Sequence, residues 1–310
     1  MSSEVTAEVE QEPETQRGWF RNPQDGRLRA GWRILAFLAI FYTIALPLIF
    51  GLRALLDFSK NSPLVIVLIA AAATPAVYIA RRWIDKKTFT SLGLRTGRRS
   101  VVDAAFGFAL SGLMAGSVFC AMWALGYIDS VQVGVLSGST IGVLLGSLLV
   151  MALVGFWEEL VFRGYILQNM AEGMGMQKAV IVSCLFYGLV HSANPNAGLL
   201  STAIIVLFGY LRIYGYLSTG QLWLSIGMHT GWNFFQATVF GFAASGHAES
   251  WTLLAHEAAA ADWLSGGNFG PEASVLTVPV VLIALLIMRT WAGVGEPDEN
   301  RRRGKDGTVV

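Results

Sequence analysis

Residues 139–165 read STIGVLLGSLLVMALVGFWEELVFRGY. From Ile141 to Trp157 only apolar residues, glycines and Ser147 occur. About 20 consecutive apolar residues suffice for a helix to cross ~30 Å of hydrocarbon. The stretch is therefore expected to span a membrane, and it then carries Glu158, Glu159 and Arg163 into or near the bilayer. Ionisable side chains are costly there and point to function.

Seven further apolar segments flank this one, at 31–52, 63–80, 101–125, 177–193, 198–217, 221–243 and 275–292. Pro47 and Pro75 fall inside the first two and are expected to kink them. Of the 310 residues only 14% are charged, against about 25% in soluble domains, and the mean hydropathy is +0.54. A soluble globular fold is excluded. The long continuous runs argue against a β-barrel, whose strands alternate over short segments. The expected fold is all-α: a polytopic integral membrane protein of about eight transmembrane helices. A net charge of +1 gives no reason to expect a nucleic-acid partner; the lipid bilayer is the expected surroundings.

Charge between the segments sets the orientation. Placing the N-terminus in the cytoplasm puts Arg81, Arg82, Lys86, Lys87, Arg95, Arg98, Arg99 and Arg301–Arg303 inside, and only Arg53 and Lys60 outside. This is the positive-inside pattern. It predicts an even number of spans, both termini cytoplasmic, and a multi-pass protein of the plasma membrane, here a bacterial inner membrane. Residues 1–30 are expected to form a disordered acidic tail and a basic juxtamembrane segment, 31–293 the membrane domain, and 294–310 a basic cytoplasmic tail. The acidic start has no Lys or Arg before Arg17 and no apolar core, so the first span is expected to serve as the insertion signal. Loop 244–274 is expected outside, with His247 and His256 at its surface and an interfacial amphipathic helix bearing Trp251, Leu253, Leu254, Trp263 and Leu264. Cys120 and Cys184 lie within apolar runs and are expected to be unpaired. Gly112/Gly116, Gly142/Gly146 and Gly227/Gly231 have the spacing that lets helices approach closely.

The polar residues within the apolar segments form a pattern. Glu159 and Arg163 are at i and i+4, on one helix face, and can pair. Glu158 points about 100° away, without a partner on its own helix. A desolvated carboxylate in that position can act as a base. His191 ends the fifth segment. His229 and Asn233 share a face of the seventh. Glu158 lies 16 residues before Met174 and His191 lies 17 after it, so a hairpin turning near Gly173–Gly175 brings them to one depth. Such a set allows two mechanisms of peptide hydrolysis. In one, Glu158, His191 and His229 hold a divalent metal whose water attacks a carbonyl. In the other, Glu158 and a histidine activate water directly and Asn233 donates to the oxyanion. No Gly-x-Ser-x-Gly, His-Glu-x-x-His, Walker A or Gly-x-Gly-x-x-Gly motif occurs. An inverted repeat that would favour a proton-coupled transporter is also absent.

Glu158-Glu159-x-x-x-Arg163, an aromatic residue before His191, and His229-x-x-x-Asn233 together resemble the three motifs of the CAAX-protease and bacteriocin-processing (CPBP) family of intramembrane proteases. The resemblance covers about residues 140–240. It implies an eight-helix endopeptidase acting on a peptide or membrane-protein substrate. It implies a catalytic set of Glu158, Glu159, His191, His229 and Asn233 supported by Arg163. Glu158 would activate water, His191 and His229 would be its partners or metal ligands, and Asn233 would be the oxyanion donor. Zn²⁺ is the expected metal if one is bound. The second motif is usually Phe-x-x-x-His; here Tyr187 holds the −4 position and Phe186 the −5. Family members include scaffold and bacteriocin-immunity proteins as well as proteases, and a catalytically silent protein of the same fold is the alternative.

Overall fold

A computed structural model describes residues 18–59, 62–135, 137–249 and 251–294. The expected acidic tail and nearly all of the basic C-terminal tail lie outside the described residues. The chain is mostly helical. In order it forms α1 (Ala30–Leu56), α2 (Pro63–Ile79), α3 (Arg98–Ala124), β1 (Ile128–Val133), α4 (Gly138–Glu159), α5 (Leu167–Met174), α6 (Met176–His191), α7 (Leu199–Thr219), α8 (Trp223–Asn233), β2 (Leu254–Ala258), α9 (Asp262–Ser265) and α10 (Thr277–Val294).

Each of the eight apolar segments coincides with a helix, but among the described residues only five helices are long and apolar enough to cross a membrane. They are Ala30–Leu56, Pro63–Ile84, Arg98–Ala124, Gly138–Met174 and Leu199–Thr219. Such a set makes the chain a multi-pass membrane protein. The expected count of eight spans is not reproduced, because α6 and α10 are shorter and α8 has 11 residues before its geometry changes. The 16 residues of α6 rise only about 24 Å.

Local chemistry sets the boundaries. Ser62 accepts from the Leu64 amide ahead of Pro63, which opens α2. Ser137 and Thr140 form a capping box at the start of α4. Gly175, at φ +82°, ends α5 and turns the chain into α6, where the hairpin is expected. Helices α1 and α2 run through Pro47 and Pro75 without a break in their assignment. Wide π-helical turns follow α2, α4 and α8, at Ala80–Ile84, Leu160–Ile166 and Phe234–Val239. Such turns are rare and are frequent at functional sites. The second directly follows Glu159 and the third directly follows Asn233.

Helix α8 is held between α3 and α4 through glycines. A Cβ on Gly227 would overlap the Ala104 carbonyl, and one on Gly231 would meet the Phe108 backbone at 2.6 Å. Across the other side, Gly155 of α4 faces Thr230 and Ile226 at 2.6–3.1 Å by the same measure. Close backbone approach between small residues is how membrane helices pack without a hydrophobic drive between them. Gly142 and Gly146, by contrast, face open space.

At one end of the bundle, Glu172 of α5 takes ion pairs from Arg27 (2.9 Å), Arg33 (2.8 Å) and Lys87 (2.6 Å). Arg81 pairs with the buried Asp85 at 3.0 Å. Several of the cations that set the expected orientation are thus also structural ties.

The segment after α8 departs from expectation. In place of an amphipathic helix over Trp251–Leu264, β2 pairs antiparallel with β1, Val131 opposite His256. Backbone groups of β1 need partners, and β2 supplies them. His256 is not a surface residue. Its ring packs 4.6 Å from Phe242 and 5.8 Å from Phe119 between centroids, and burial lowers its pKa below the usual 6.5. His247 is exposed as expected. Cys120 and Cys184 are both free thiols.

Candidate active site

Four helices converge on one buried polar cluster. Glu158 and Glu159 end α4, His191 ends α6, Arg212 comes from α7 and His229 from α8. Glu159 is fully buried, and Arg163 and His229 nearly so. The hairpin at Gly175 brings α4 and α6 together as their residue counts require. Helix α8 does not start at the level of that turn: Leu222, just before it, packs against Gly164, ten residues up from Met174. This raises His229 to the level of Glu158.

The two adjacent carboxylates have different partners. Glu159 Oε1 accepts from Arg163 Nη1 at 3.1 Å and from His229 Nδ1 at 2.9 Å, with Arg212 Nε at 4.0 Å. All of these contacts are to Oε1; Oε2 is buried and has no hydrogen-bond partner among the described residues. Glu158 Oε2 accepts one hydrogen bond, from the Tyr187 hydroxyl at 2.9 Å. His191 Nε2 and His229 Nε2 face the same oxygen at 3.9 and 3.8 Å, too far for a direct hydrogen bond.

The far nitrogens of both rings set their tautomers. His191 Nδ1 lies 2.9 Å from the Tyr187 carbonyl oxygen, which can only accept. His229 Nδ1 lies against the Glu159 carboxylate. Each Nδ1 is therefore assigned the proton, and in the neutral rings each Nε2 presents a lone pair. Two lone pairs and a carboxylate oxygen then point at one another. Acceptors in such an arrangement need a donor or a cation between them. A water fits the 3.8–3.9 Å gaps as a bridge.

The donor types also fit a divalent metal. Each imidazole is held through its other nitrogen, as metal-ligating histidines are. The spacing does not: donors sharing a tetrahedral Zn²⁺ would stand about 3.3 Å apart. Among the described residues no three His, Cys, Asp or Glu side chains are grouped to hold a metal ion.

Asn233 follows His229 by one turn on the same face of α8. It is half-buried, and among the described residues no hydrogen bond to its side chain is found. An amide in that state is free to donate to a substrate.

Four further participants lie outside the expected site set. Arg212, 2% exposed, donates from Nη1 to the Tyr187 hydroxyl at 2.7 Å. It is a charge inside an apolar run, the same signal that marks Glu158. Trp232, next to Asn233, donates from Nε1 to Glu272 Oε1 at 2.9 Å. Glu272 is buried, and its Oε2 accepts from the Ser245 amide at 2.8 Å and hydroxyl at 2.6 Å. It belongs to the loop 244–274, which folds back over α8, and nothing in the local sequence marks it. Asn194, three residues after His191, donates to the Ser245 carbonyl at 3.1 Å, so the returning loop also clamps the end of α6.

Residues 140–235 match the model of the Rce1-like family, described as type II CAAX prenyl endopeptidase Rce1-like. The match bears out the resemblance read from the three motifs and falls on the same third of the chain. An uncharacterized protein of Bacillus subtilis (strain 168), YyaK, is 26% identical over 219 residues, covering 66% of this chain and 72% of its own length.

Proposed function

We propose that this CAAX-protease-like chain is an active intramembrane endopeptidase that hydrolyses a peptide or membrane-protein substrate with a water activated by Glu158. One observation carries the reading: both Nε2 atoms and the Glu158 carboxylate meet across gaps of 3.8–3.9 Å in a buried cluster. In the proposed reaction the water sits among Glu158, His191 and His229. Glu158 takes one of its protons as the oxygen attacks the scissile carbonyl carbon. The Asn233 amide donates to the oxyanion. The C–N bond then breaks, and the proton on Glu158 passes to the leaving nitrogen. Glu159 and Arg163 hold His229 in its tautomer and do not touch the substrate.

A divalent metal, Zn²⁺ for this donor set, is the second reading, favoured by the convergence of three acceptors. Glu158, His191 and His229 would hold it after closing by about half an ångström. It would supply Lewis-acid polarisation of the carbonyl and a more acidic water. Metal analysis of the purified protein, with activity before and after chelation, separates the two readings.

We further propose that both termini lie in the cytoplasm of a bacterial plasma membrane, on the Lys/Arg asymmetry. Labelling of a cysteine at residue 305 from outside intact cells would overturn this.

The direct test of function is Glu158→Gln. It keeps the shape and removes the base, so the variant should fold while hydrolysis of a fluorogenic peptide ending in a farnesylated CAAX sequence drops about 10²–10⁴-fold. Cleavage at the wild-type rate would refute the role. A wild-type protein that cleaves neither this peptide nor co-expressed membrane proteins would favour the silent scaffold.

A further inference from the structure

Tyr187 stands at the −4 position of the second motif, where phenylalanine is usual. Its ring lies 4.1 Å from the Arg163 guanidinium carbon, a contact a phenylalanine could make equally well. The hydroxyl adds something a phenylalanine cannot: it lies 2.7 Å from Arg212 Nη1 and 2.9 Å from Glu158 Oε2.

The chemistry of these three groups leaves one arrangement. Arginine has donors only and cannot accept. The bond from Arg212 therefore occupies a lone pair on the Tyr187 oxygen, and the single hydroxyl proton must point elsewhere. Glu158 Oε2 is the acceptor within reach. Arg212 is itself fixed, with its guanidinium carbon 5.6 Å above the Phe208 ring and its Nε 4.0 Å from Glu159. The other Glu158 oxygen, Oε1, has no hydrogen-bond partner among the described residues, and unlike Glu159 Oε2 it is not sealed from solvent.

We infer that Arg212 and Tyr187 form a one-way donor chain that pins Glu158 by Oε2, the oxygen that faces both histidine Nε2 atoms, and so fixes the orientation of the carboxylate that takes the proton from water. Both are positioning residues, acting through Glu158. The inference rests on Glu158 being the base. A carboxylate with a neutral aromatic ring in place of the hydroxyl would turn freely between its two oxygens, and fewer encounters with the water would be productive. The chain thus couples α7, which carries none of the three motifs, to the reacting residue.

The experiment is a double-mutant cycle with Tyr187→Phe and Arg212→Lys on the farnesylated peptide. Tyr187→Phe keeps the ring and should stay folded, melting a few degrees lower because the buried Arg212 Nη1 loses its acceptor. It should lower kcat about 10–100-fold, as loss of a partner that orients a reacting group does, and leave KM unchanged. Arg212→Lys retains a charged donor and should lose less. In the Tyr187→Phe background Arg212→Lys should add little, because the chain is already cut. A Tyr187→Phe enzyme with wild-type kcat overturns the inference, as does an equal loss from Arg212→Lys in both backgrounds. If wild type cleaves nothing, the functional reading fails on its own. The positioning is then decided by a crystal structure of Tyr187→Phe: a carboxylate that rotates supports it, and one that keeps its place overturns it.

Discussion

His229 donates from Nδ1 to Glu159 Oε1 across 2.9 Å. That single contact divides the labour between two neighbouring glutamates. It ties Glu159 to the support of the ring and leaves Glu158 facing the ring's other nitrogen. Glu159 is also the counter-charge of Arg163, and both are buried. Replacing it by glutamine keeps the hydrogen-bond acceptor and removes the charge, leaving Arg163 uncompensated. Loss of one partner of such a pair costs about 3–5 kcal/mol. Glu159→Gln should therefore melt at lower temperature in detergent and accumulate poorly, whereas Glu158→Gln should not. Equal melting of Glu159→Gln and wild type would disprove the assigned pairing.

Among the described residues the Asn233 side chain has no hydrogen bond to lose on truncation. Asn233→Ala is expected to melt like wild type. If the amide donates to the oxyanion, kcat should fall about 10²–10³-fold. Steady-state kinetics on the same peptide measures this, and an unchanged kcat would remove Asn233 from the mechanism.

The two glycine pairs of α8 and α4 make opposite predictions. A side chain on Gly227 runs into the Ala104 backbone, while Gly142 faces open space. Gly227→Leu must push α8 off α3 and carry His229 with it. Overpacking typically costs about 1–3 kcal/mol, and a clash with backbone belongs at the upper end. The expected result is loss of folded protein on size-exclusion chromatography. Gly142→Leu should leave yield and activity intact, and a monodisperse Gly227→Leu protein would contradict the packing.

His256 links stability to acidity. Burial against aromatic rings keeps its pKa below 6.5 in the fold, while in the unfolded chain it takes a proton near that value. The unfolded state therefore binds the extra proton first. This contribution to stability is complete above pH 6.5 and is lost as the pH falls below it. His256→Phe should lose less melting temperature than wild type between pH 7.5 and pH 5.5. An identical drop in both proteins would show that the site contributes nothing to acid sensitivity.

The helical architecture and most of the polar cluster could be read from the chain because the signals are local. An apolar run and a charge within it are visible without knowing what they touch. Counting residues on either side of Met174 suffices to level Glu158 with His191, because a helix rises at a constant rate and Gly175 ends one and begins the next. The spacing of Glu159 and Arg163 likewise contains their pairing.

Only the tertiary structure decided what lies between elements distant in sequence. The level of His229 depends on where α8 starts against Gly164. The tyrosine at the −4 position of the second motif takes its meaning from Arg212, 25 residues later on another helix. Glu272 looks like a loop acid until the loop folds back and its carboxylate meets Trp232 and Ser245. The pairing of β1 with β2 replaced an expected amphipathic helix because unpaired backbone in β1 had to be satisfied by a strand more than a hundred residues away. The sequence by itself determined which segments are apolar and which charges they carry, since both depend on composition and helical period. Which oxygen of Glu158 is pinned, and so how the carboxylate is oriented, is set by donors brought together from separate helices.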